Sequence, residues 1–300
     1  MTCPRHSLRP WKRGLVCLLL VAGGMPGAGV ADEPGPTEPA ARPGAGWSQW
    51  PKEEKAELLN ATVIGGMALY GLLFWGYGGH TFQFVNEGWF QQDSIHGGAD
   101  KLGHAFSTYV GAMSFSAVYE KWGFDPHAAS RLGALSGFAT FFMIEFGDAF
   151  SKHGFSLEDL TADAAGALWG FIRRECPAVR RLVDFRVSYF PSWGSLHGHT
   201  SDYISDYSGF TYLLAFKGSG VEALSSTWLK YLELHAGYYT RGYEVQDWCH
   251  YGEPHRVLYA GLAVNLSDLV AKTGWRKTAT FLEFYQPPWT ELSTSYNLDR

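Results

Sequence analysis

Three helix-compatible stretches set ionisable side chains among apolar and small residues, and no other feature constrains this chain's fold as tightly. They are Asp100, Lys101 and His104 in GADKLGHAF, Glu145 and Asp148 in FFMIEFGDAF, and Asp159 and Asp163 in GFSLEDLTADAAG. An uncompensated charge in such surroundings costs several kcal/mol or is neutralised. At helical spacing Asp100 and His104 lie four apart, Glu145 and Asp148 three apart, and Asp159 and Asp163 four apart, so each pair projects from one helix face. If the three faces meet, they gather these groups into one buried polar cluster inside an apolar bundle.

Two chemical accounts fit such a cluster. In the first it is a metal site: His104 supplies a nitrogen, and Asp100, Glu145, Asp148 or Asp159 supply carboxylate oxygens. That donor set suits zinc or manganese and brings the pKa of a bound water toward neutrality. In the second no metal is needed, because Lys101 and His104 neutralise two carboxylates in a hydrogen-bonded network that sets helix register. A carboxylate raised in pKa by burial would then pair with His104 as general acid and base. The candidate site is Asp100, Lys101, His104, Glu145, Asp148, Asp159 and Asp163 on either account.

The first residues describe an exported chain. Arg5, Arg9, Lys12 and Arg13 precede the apolar run from Gly14 to Gly24, and small residues follow up to Ala31. This is the order of a secretory signal peptide cleaved near Ala31. Cys17 is preceded by Leu and Val where a lipidation signal needs small residues. Cleavage takes four of the 24 basic residues and none of the 29 acidic ones, leaving 20 against 29 and a net charge of minus nine. Such a surface argues against nucleic acid as a partner and leaves protein partners unspecified. Cys176 and Cys249 remain, in a compartment where they are free either to pair or to stay apart.

Domain organisation follows composition. Residues 1–31 are the signal peptide and 32–46, rich in Pro, Gly and Ala, a flexible leader. Residues 47–178 carry helical patterns and 179–300 strand patterns. The stretch from Leu58 to Asn86 has no Asp, Glu, Lys or Arg, so it is either long enough to span a bilayer or a fully buried helix. Further helices are predicted from Ala99 to Lys121, from Asp125 or Pro126 to near Gly154, and from Leu157 to about Arg174, the last capped by Ser156. VDFRVSYF, FTYLLAFKG, YLELHAGYYTRGY and RVLYAGLAVNL fit strands, the last two pairing across Glu244 to His255. The expected fold is α+β: about four apolar helices, membrane-embedded or membrane-apposed, followed by an antiparallel β-rich region. Membrane or lipid is the expected partner. His96, His197 and His199 read as loop residues, and neither a Walker loop nor a Gly-x-Ser-x-Gly elbow occurs.

The motifs resemble the YfiM-type envelope domain of unknown function. Its pattern is Asp-Lys-x-x-His, then Glu-x-x-Asp, then Gly-x-Ser-x-x-Asp-x-x-x-Asp-x-x-Gly. Here it falls on Asp100, Lys101, His104, Glu145, Asp148, Gly154, Ser156, Asp159, Asp163 and Gly166. The chain is more distantly similar to the VanZ-like membrane proteins, which usually carry an Asn where Asp163 stands. The resemblance implies an envelope location and names no reaction. The expected function is a non-catalytic envelope role in assembly, scaffolding or lipid contact. The alternative is a hydrolase or transferase acting on a lipid or lipid-linked envelope molecule through Asp100, His104 and Glu145.

Overall fold

The computed structural model describes residues 46–198, 203–244 and 247–300, apart from the Cys249 side chain. The signal peptide, the leader up to residue 45 and His199 lie outside the described residues. Cys176 is an exposed free thiol. The described chain divides into two compact units, one of residues 46–86 and 107–175 and the other of residues 87–106 and 176–300.

Helices dominate the first unit. Pro51 precedes α1 (Lys52–Tyr70), where Glu53 and Glu54 meet the positive end of the helix dipole; the helix runs on as a π-helical turn over Gly71–Trp75. Its N-terminal half packs through Ala56, Leu59 and Val63 on Phe115, Tyr119 and Ala129. Helix α2 (Ala99–Lys121) is continuous, with its first turns in the other unit. The start of α3 (Pro126–Asp148) is capped by Asp125, which accepts hydrogen bonds from the backbone N–H groups of His127 at 3.0 Å and Ala128 at 3.2 Å. Gly137 lets α3 approach α2 closely, since a Cβ there would lie 2.7 Å from the Ala112 nitrogen. α3 stops at Asp148, short of the expected Gly154, because the chain turns back through Gly154 at φ +83° to form β2 (Phe155–Ser156). This pairs in parallel with β1 (Phe84–Val85) and leads into α4 (Leu157–Glu175).

The expected bundle of about four apolar helices in or against a membrane is corrected here. Among the described residues only Lys52–Trp75, α1 with its π turn, is long and apolar enough to cross a membrane. Only 6 % of its apolar window is buried, so it is not a fully buried helix either. The other long helices bury charge: Asp100 and Lys101 on α2, Glu145 on α3, and Asp159, Asp163 and Arg173 on α4. A helix that turns ionisable groups inward does not supply an all-apolar surface.

The second unit holds a five-stranded antiparallel sheet in the order β3 (Val183–Tyr189), β4 (Phe210–Lys217), β5 (Leu232–Arg241), β6 (His255–Val264) and β7 (Glu291–Asn297). The expected α+β class and C-terminal antiparallel sheet are both present, and β5 pairs with β6 across the expected polar loop. β7 was not read from the sequence, since Glu291–Asn297 is mostly small and polar. Helix α5 (Pro177–Leu182) leads into the sheet, and α6 (Leu266–Lys272) and α7 (Arg276–Leu282) fill the connection from β6 to β7. Just before β7, Phe284 accepts a hydrogen bond from Val187 N–H at 2.9 Å and Gln286 N–H donates to Val187 at 2.9 Å, so the chain returns to the free edge of β3.

The two faces of this sheet invert the usual partition. Its buried face carries the charges. Arg186 holds Glu233 with two hydrogen bonds of 2.7 and 3.0 Å, reaches Asp184 at 2.6 Å, and meets Gln286 at 2.9 Å. Lys217 donates to Asp184 at 2.8 Å, and His235 lies 2.9 Å from Glu233. Two cations therefore balance two carboxylates, as burial requires. The other face is apolar: Val187 on β3 and Tyr212 on β4 bury there against Ala99, and Leu234, Leu262 and Leu292 on β5 to β7 are exposed.

Candidate functional site

The first turns of α2 place three of the candidate residues. Lys101, only 2 % exposed, donates from Nζ to Asp100 Oδ2 at 2.7 Å and to a carboxylate oxygen of Glu87. One buried ammonium thus lies between two carboxylates. His104 is half-buried one helical turn beyond Asp100.

Glu87 reaches Lys101 because the loops of the second unit hold residues 87–98 in place. The Tyr238 hydroxyl donates to the Gly97 carbonyl, the Tyr243 hydroxyl donates to the Gln92 carbonyl at 2.9 Å, and the Arg256 guanidinium donates to the Phe90 carbonyl. Gly97 and Gly98, at φ +60° and +84°, make the turn into α2. His96, expected as a loop residue, packs its ring against Tyr207 with centroids 4.5 Å apart, and its Nδ1 lies 3.5 Å from Glu244.

In the other unit, Glu145 on α3 is buried and accepts a hydrogen bond from the Ser156 N–H at 3.3 Å. The β1–β2 pairing sets Ser156 in position, and its hydroxyl caps α4 by accepting from the Asp159 N–H at 3.1 Å. Asp163, one turn further along α4, is wholly buried, and its Oδ1 accepts from the Thr108 hydroxyl at 2.7 Å. Asp148 ends α3 and accepts from the Ser151 hydroxyl at 3.2 Å. The Tyr77 hydroxyl donates to the Ile144 carbonyl at 3.0 Å. Burial first, and then the Asp148 and Glu145 carboxylates, push that hydroxyl well above its ordinary pKa, so it stays protonated and remains a donor.

Within one unit the structure therefore joins Asp100 and Lys101; within the other it sets Glu145 against the cap of α4 and Asp163 against α2. Sequence reasoning missed Glu87, Thr108 and Tyr77. Thr108 had a signal, because it continues the four-residue spacing of Asp100 and His104. Glu87 had none, since it sits in a loop that only tertiary contacts bring to α2.

Residues 86–175 match the family described as a predicted periplasmic lipoprotein, DUF2279. The match marks the chain as an exported cell-envelope protein whose matched domain has no assigned activity. It shows no link to the YfiM-type or VanZ-like proteins that the motifs resemble. No curated protein and no solved structure matches the chain.

Proposed function

We propose that this protein is a non-catalytic, membrane-apposed scaffold of the cell envelope, with the ionisable side chains of the matched segment serving to hold its helices. The carrying observation is Lys101, buried and engaged by both Asp100 and Glu87. Two of the three N–H donors of this ammonium are committed to carboxylates, as suits a cation that ties a loop to a helix. The bonds from Ser156 to Glu145 and from Thr108 to Asp163 support the same reading. In a strain lacking the protein, Lys101→Met should lower abundance and envelope function together. Glu145→Gln that abolishes function in protein of normal abundance and melting would replace scaffolding with catalysis.

Contact with lipid is supported by α1. Leu69, Leu72, Leu73 and Phe74 are each more than half exposed at its C-terminal end and the adjoining turn. Leu72→Glu with Phe74→Glu should weaken membrane association while leaving abundance unchanged. Unchanged association would remove α1 from the proposal.

A second reading is the hydrolase or transferase, with zinc or manganese bound. It rests on the donor types of His104, Asp100, Glu145 and Asp148 in the sequence, one imidazole and three carboxylates. Metal analysis of the purified protein, joined to melting with added zinc or manganese, tests it. Stoichiometric metal and a raised melting temperature support it, and neither appearing retires it.

A further inference from the structure

The outward face of the C-terminal sheet is apolar over a long, connected area. Phe216, Leu234, Leu262 and Leu292 lie side by side across β4 to β7, and Leu258 sits opposite Tyr296 further along. Leu234, Leu292 and Tyr296 are 61 %, 80 % and 69 % exposed. From Leu232 to Tyr238 on β5, and at the positions paired with them on β4, β6 and β7, this face bears no Asp, Glu, Lys or Arg. The ionisable side chains of these strands point to the buried face, Arg256 at the end of β6 excepted.

A sheet that folds against water does the reverse, turning its apolar side chains in and its polar ones out. Apolar-out and polar-in is the arrangement that lipid favours. The exposed side chains of β6, Leu258, Ala260, Leu262 and Val264, give a band about 20 Å high, close to the roughly 25 Å apolar band of lipid-facing strands. Exposed Trp228 and Trp275 stand in the loops at one end and exposed Trp248 in the loop at the other. Tryptophan favours the level where acyl chains give way to headgroups. Beside Trp275, Lys272, Arg276 and Lys277 are exposed, and cations there complement anionic headgroups.

We propose that this outer face seats in the acyl region of an anionic phospholipid membrane, with Trp275 and its basic neighbours at headgroup level. The proposal deepens the membrane-apposed reading, rests on the chain's envelope location, and uses residues separate from α1. A second copy of the chain is the competing occupant.

The test is carbene labelling of the full-length protein from photoactivatable acyl chains, in phosphatidylethanolamine vesicles with and without phosphatidylglycerol, with the labelled residues mapped by mass spectrometry. The expected result is label on Leu234, Leu258, Leu262 and Leu292, none on Glu233 or His235, and more label when phosphatidylglycerol is present. Leu234→Arg with Leu262→Arg should cut sheet labelling by about 30-fold, the cost of one arginine on a lipid face being enough for that. Label on α1 peptides with none on the sheet overturns this inference and leaves the α1 contact standing. Label on the sheet with none on α1 does the opposite. An unlabelled sheet in a dimer that Leu234→Arg splits assigns the face to a second copy and also overturns the inference.

Discussion

Thr108 donates its hydroxyl hydrogen to Asp163 Oδ1 across 2.7 Å, and both side chains are wholly buried. A carboxyl oxygen removed from water needs such a donor in place of the hydrogen bonds it loses. This bond ties α2 to α4 where neither helix has solvent to substitute for the other.

Thr108→Val keeps the shape and removes the donor. It should lower the free energy of unfolding by about 1.5–3 kcal/mol, the range for a hydrogen bond to a charged group. Urea unfolding of the variant checks this, and an unchanged midpoint would show that the bond adds nothing.

Gly147→Ala should destabilise through Tyr77. A Cβ at Gly147 would lie 2.0 Å from Tyr77 Cε2, and a Cβ at Gly71 the same distance from that atom. The ring therefore has no room on either side, and displacing it also strains the bond from its hydroxyl to the Ile144 carbonyl. The expected cost is about 1–3 kcal/mol, typical of overpacking. Combining Gly147→Ala with Tyr77→Ala should cost less than the two single changes added together, as a double-mutant cycle would read out.

Arg186→Met should be among the more destabilising single changes in the second unit. It leaves Asp184 and Glu233, both almost inaccessible to solvent, with one cation fewer. Breaking a buried pair from one side costs about 3–5 kcal/mol. Thermal unfolding checks the size of the effect. A change below one kcal/mol, on the order of an exposed ion pair, would show that Lys217 and His235 take over the charge balance.

Acid should remove a contribution made by Glu175. The His127 imidazole, hydrogen-bonded to it at 2.6 Å, is the main cause holding the Glu175 carboxyl below its usual range, against the opposing effect of burial. A lowered folded-state pKa means stability that is present above the unfolded carboxylate value, about 4.3, and is lost as pH falls through the folded value. Glu175→Gln should therefore flatten the acid limb of a stability–pH curve below about pH 4.3 relative to the parent. Identical acid limbs would remove this pair as a contributor.

Helix starts were legible from the residues because their causes are local. Asp125 before Pro126 starts α3, and Ser156 caps α4, whatever else surrounds them. Strand positions were legible for the same reason, apart from β7, whose small polar residues give a weak alternating pattern. The candidate site was legible only along single helices: spacing pairs Asp100 with His104, but Glu87 and Tyr77 enter from loops with no periodic relation to the residues they meet.

Export, the α+β class and the starts of α2, α3 and α4 came from residue order alone, since neighbouring side chains and backbone dihedrals carry that information. Tertiary structure decided which face each element turns inward. A two-residue alternation separates the faces of a strand without saying which is sheltered, so VDFRVSYF is equally compatible with Arg186 in water and with Arg186 buried against Glu233. The sheltered face is settled by partners distant in sequence: here Asp184, Lys217, Glu233 and Gln286 compensate Arg186, and Leu234 and Leu262 are left on the outside. The exposure of α1 has the same origin, because an apolar run shows the solvent it suits but not whether other helices cover it.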